Sequence, residues 1–228
     1  MMEDDQHKKT REEVIRSRDD LSTFLVHLTK DTEDGTKAKE NLKSILQNQR
    51  IEKRNPKGLL YTFSEFIDCS KSVCFTETPI NYIKHLTNIE GRDVVLEPYG
   101  IVFSKEKALM KGVNPVFYIN TYSTNTTLRD AFYAIKSKCN LDELKAIVPY
   151  LEIFGKMKSG GSRDFSWERE WRYNGDFVFE NQDIVVGLVK TKEEISEFET
   201  EFKSQYPNIK FITPDFSIEE LILKLAGK

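Results

Sequence analysis

A Gly-Gly turn in Lys158-Ser159-Gly160-Gly161-Ser162-Arg163 leads into a run of aromatic and charged residues, Asp164-Phe165-Ser166-Trp167-Glu168-Arg169-Glu170-Trp171-Arg172-Tyr173. Side chains alternate across a strand. The pattern therefore puts Trp167, Arg169 and Trp171 on one face and Glu168, Glu170 and Arg172 on the other. Two carboxylates two positions apart would then share one surface, entered from an adaptable loop. Fixed anions of this kind suit a reaction in which positive charge develops on a sugar, because preorganised charge stabilises it as it forms. The same pattern also describes an edge strand with a solvated charged face and tryptophans packed beneath it.

The elements that must position these acids can be read along the chain. A short strand is expected at Phe24–Thr29, projecting His27 and Thr29 to one face, and a helix at Ala38–Leu46 with Leu42, Ile45 and Leu46 as its apolar stripe. Asn55-Pro56-Lys57-Gly58 reads as a turn, and Phe63, Phe66 and Ile67 suggest a short helical piece. Strands follow at Ser72–Glu77, Tyr99–Ser104 and Pro115–Ile119, with Pro79 opening a helix through Leu86 and a further helix at Lys105–Met110. Helices are expected at Thr126–Lys138 and Leu141–Tyr150. Beyond them come strands at Leu151–Phe154, Glu168–Tyr173 and Ile184–Val189. Helix Glu193–Gln205, strand Ile209–Thr213 and helix Ser217–Leu225 complete the order.

At 228 residues and 39% hydrophobic residues, the chain suits one full core, with residues 1–20 as an extension and 21–228 as a single α+β domain. A net charge of −3 gives no global attraction to a polyanion, so nucleic-acid binding would need a local patch. The basic run Arg50-Ile51-Glu52-Lys53-Arg54-Asn55-Pro56-Lys57 could grip a phosphate backbone if it bordered the cleft, but a solvated loop is the favoured reading. Three cysteines, Cys69, Cys74 and Cys139, lack metal-type spacing and fit a reducing compartment. No apolar run marks the first 18 residues as a signal peptide or anchor, so the expectation is a cytoplasmic protein without a membrane partner. The histidines show no metal spacing, and neither a nucleophile elbow nor a Walker loop occurs.

His27-Leu28-Thr29, Phe75-Thr76-Glu77 and Glu168-x-Glu170, in this order, resemble the His, Ser/Thr and Glu framework of ADP-ribosyltransferases. With the Asn-Leu-x-Ser-Ile-Leu helix, Tyr99-Gly100-Ile101-Val102-Phe103 and Asn114-Pro115-Val116-Phe117-Tyr118, the run from Phe24 to Val189 resembles AbiGi-type abortive-infection proteins. The wider superfamily includes nucleic-acid-modifying toxins. What this resemblance implies is a fold of split mixed sheets forming an NAD cleft, with peripheral helices. It also implies a transferase that acts as a toxic phage-defence effector, with NAD as substrate and a nucleic acid as acceptor. Glu170 would stabilise the oxocarbenium-like centre and Glu168 would serve the acceptor. His27 would bind a ribose hydroxyl with Thr29 in support, Thr76 would pack under nicotinamide, and Phe75 or Tyr82 would stack on it. Each has a plain structural reading beside it: a satisfied histidine on a half-buried strand, or ordinary core aromatics. Because AbiGi-type proteins have been labelled antitoxins, a non-catalytic protein that binds a toxin is the alternative function. An NAD glycohydrolase is a third.

Overall fold

The computed structural model describes residues 18, 20–54, 70–87, 89, 95–120, 128, 130, 131, 134, 137, 141–156 and 162–226. The expected N-terminal extension through residue 17, the turn at 55–58, the helical piece at 63–67 and Gly160-Gly161 lie outside them. In chain order the described elements begin with β1 (Phe24–Leu28), α1 (Ala38–Asn48), β2 (Arg50–Ile51), β3 (Ser72–Thr76) and a 3-10 helix at Ile80–Leu86. Next are β4 (Gly100–Ser104), α2 (Lys105–Met110), β5 (Asn114–Pro115), β6 (Phe117–Asn120), α3 (Leu141–Ile147) and β7 (Leu151–Lys156). The remainder are β8 (Ser162–Arg163), β9 (Glu170–Asn174), β10 (Phe177–Val178), β11 (Ile184–Leu188), α4 (Lys192–Glu201), β12 (Phe211–Ile212) and α5 (Ile218–Leu225). Helices and strands are thus mixed along the chain, an α+β arrangement.

These elements group into two compact units, one drawn from 1–49, 77–110 and 179–228, the other from 50–76 and 111–178. In the first, β12 runs parallel to β11, β11 antiparallel to β4, and β4 antiparallel to β1. Strand alternation splits the apolar side chains of this sheet into two sets. Val26, Leu28, Val102, Val186, Leu188 and Ile212 pack with Ile83 and Leu86 of the 3-10 helix in one buried cluster. On the other face Phe103 meets Phe179 edge-on at 5.2 Å, and Phe198 of α4 lies 5.3 Å from Phe211. Gly187 is required there, because a Cβ at this position would fall 2.2 Å from the Phe211 ring.

Helix α1 turns inward on Leu42 and Leu46, as its stripe predicts. Its outward lysines, Lys39 and Lys43, pair with Glu194, Glu197 and Glu201 of α4. Near the end of α1, Tyr206 donates its hydroxyl to the Leu46 carbonyl at 2.7 Å, and burial raises that phenol to about 12, against a lowering hydrogen bond with Gln49. The unfolded phenol titrates near about 10. The stability tied to the neutral form is therefore whole below that value and is lost as pH rises toward 12. A thermal-melt series should show wild type losing stability over this alkaline window and Tyr206→Phe losing less, starting from a lower plateau.

In the second unit, β3 and β5 flank β9, both antiparallel to it. Strand β7 lies between parallel β6 and antiparallel β8, and β2 pairs with β10. On one face of the β3–β9 pair Phe75 and Tyr173 both meet the Phe177 ring edge-on, at 5.1 and 5.4 Å. The opposite face carries Cys74, Thr76, Glu170 and Arg172.

Candidate functional site

The strand expected over 168–173 forms from Glu170 onward, as β9, whereas the residues just before it make a turn. Asp164 accepts hydrogen bonds from the Ser166 amide at 2.9 Å and hydroxyl at 2.6 Å, which start a single 3-10 turn at Ser166–Glu168. These same bonds hold the Asp164 carboxyl below its usual range. Trp167 donates its indole N–H to the Asp164 carbonyl at 2.8 Å. Arg169, at φ 50°, then reverses the chain in the left-handed region. Glu168 belongs to this turn and Glu170 opens β9, so the two acids lie in different local structures rather than on one strand face.

Thr76 donates its hydroxyl to the Glu168 carbonyl at 2.6 Å. Tyr118 accepts from the Glu170 amide and donates to the Phe165 carbonyl, both at 3.3 Å. The Val116 amide donates to the Glu170 carbonyl at 3.0 Å. Strands on both sides thus fasten the backbone of the Glu-x-Glu segment.

The Glu170 side chain is bound twice by Arg172, with Nε to Oε1 at 2.9 Å and Nη2 to Oε2 at 2.7 Å. Nη2 also donates to Oε2 of Glu152 at 2.9 Å, and Nη1 to the carbonyls of Pro149 at 3.0 Å and Leu151 at 3.3 Å. A guanidinium has five N–H donors, and every one has an acceptor here. The second Glu152 oxygen accepts the Ile153 amide at 3.1 Å. Arg172 and Glu152 are buried and only the Glu170 carboxylate retains some exposure, 14% of its side chain. Burial opposes the Arg172 charge, but the Glu170 and Glu152 carboxylates outweigh it and hold the guanidinium protonated. Burial first, and then the Glu170 charge, push the Cys74 thiol and the Tyr118 phenol up. Both neighbours are therefore neutral at pH 7.

Such a cluster ties the carbonyls at 149 and 151 to β9 and draws the Glu170 carboxylate into the same network. Removing its charge should consequently be felt in folding. Glu170→Gln turns one acceptor into an NH2 facing the guanidinium, and urea denaturation should show a loss of about 1.5–3 kcal/mol.

The other expected site residues are placed as follows. His27 is half-buried on β1 of the first unit, on the same sheet face as Leu25 and Ile101. Thr29 is buried, its hydroxyl shared between the carbonyls of Ala38 at 2.9 Å and Tyr99 at 3.2 Å. Tyr82, also in the first unit, is 49% exposed beside His85. Phe75 is a core aromatic of the second unit, where Thr76, Glu168 and Glu170 also lie. Glu152 was not singled out from the sequence, since a lone acid at Leu151–Phe154 carries no local sign of its arginine 20 residues away. Among the described residues no cluster of His, Cys, Asp and Glu is arranged to hold a metal ion, and no helix is long and apolar enough to cross a membrane.

Residues 67–216 match one family model, described as "Putative abortive phage resistance protein AbiGi, antitoxin". The chain belongs to the AbiGi family. No curated protein and no solved structure gives a significant match. The match ties the chain to abortive phage infection and, through the word antitoxin, implies a toxin partner. It also corrects the expectation of an NAD-dependent ADP-ribosyltransferase toxin, because the AbiGi description names the opposite partner of a toxin–antitoxin pair. In the structure the carboxylate cast as the catalytic group is paired with the buried Arg172.

Proposed function

We propose that this chain is the non-catalytic antitoxin of an abortive phage-infection pair and neutralises its toxin by binding it directly. The observation that carries this reading is the AbiGi match over 67–216, with its antitoxin description. The use of Glu170, Arg172 and Glu152 as a closed structural cluster supports it, because a binding protein needs a stable scaffold and no poised acid. Direct binding needs only an exposed complementary surface.

The test is co-expression with the product of the adjoining gene. That product alone should arrest growth, the pair should grow, and the two purified proteins should co-elute. If this chain arrests growth when expressed alone, or if it never relieves arrest by that product, the reading falls.

A further inference from the structure

We draw no further inference here: the strongest candidate, the polar face of the β3–β9 pair that carries Ser72, Cys74, Thr76, Glu170 and Arg172, belongs to the site already described.

Discussion

Arg172→Ala is expected to lower the stability of the protein by about 3–5 kcal/mol, the cost of stranding buried charges by removing one partner. Arg172 sits between two carboxylates, each held at 2.9 Å or closer, and also caps two backbone carbonyls. Without it Glu152 and Glu170 face one another with no cation between them, and the carbonyls of Pro149 and Leu151 lose their donor. Lysine should rescue little, because an ammonium offers three donors from one point where the site uses a planar fork of five. Replacing all three charged residues together by apolar ones of similar volume should cost far less than Arg172→Ala, since no charge is then left unpaired. Urea midpoints for the three variants test this. A loss under about 1 kcal/mol in Arg172→Ala would show that the cluster is hydrated and dispensable.

Most of the element order was legible in the sequence, and the reason is periodicity. Leu42 and Leu46 mark α1, the apolar run after Gly100 marks β4, and Ser217 with Glu220 marks the start of α5. Residues 167–169 were misread as strand because their alternation of aromatic and charged residues continues that of β9, which itself begins at Glu170. The contrary local signal was present: Asp164 followed two residues later by Ser166 is a side-chain-capped turn, and such a cap competes with strand pairing. The pairing of Glu170 with a buried arginine was not legible. An i, i+2 acid and arginine on one strand looks like surface chemistry until the second carboxylate, Glu152 on β7, arrives from elsewhere in the chain and the cluster closes in the interior. Motif order among His27, Thr76 and Glu170 likewise carries no information on whether each side chain is free. Thr76, for one, holds the Glu168 carbonyl. The alternative function, a binding protein, needs no motif, which is why sequence patterns favoured the enzyme.

Gly100→Ala is expected to destabilise the first unit by about 2–4 kcal/mol, as overpacking combined with broken ladder bonds. Gly100 opens the central strand β4, opposite Leu28 of β1 on one side and Leu188 of β11 on the other. A Cβ there would stand 2.3 Å from the His27 carbonyl oxygen and 3.2 Å from the Leu28 Cα. Both are backbone atoms, so no side chain can rotate aside and the strands themselves must separate. The bonds at risk run just beyond, from the Thr29 amide to the Tyr99 carbonyl at 2.8 Å and from the Glu97 amide to the Thr29 carbonyl at 3.0 Å. Hydrogen exchange should show faster opening at Thr29 and Glu97 in the variant, with amides of β9 little changed. Equal exchange at Thr29 and Glu97 in wild type and Gly100→Ala would mean that β1 and β4 tolerate the added methyl, and the tight register at Gly100 would then play no part in stability.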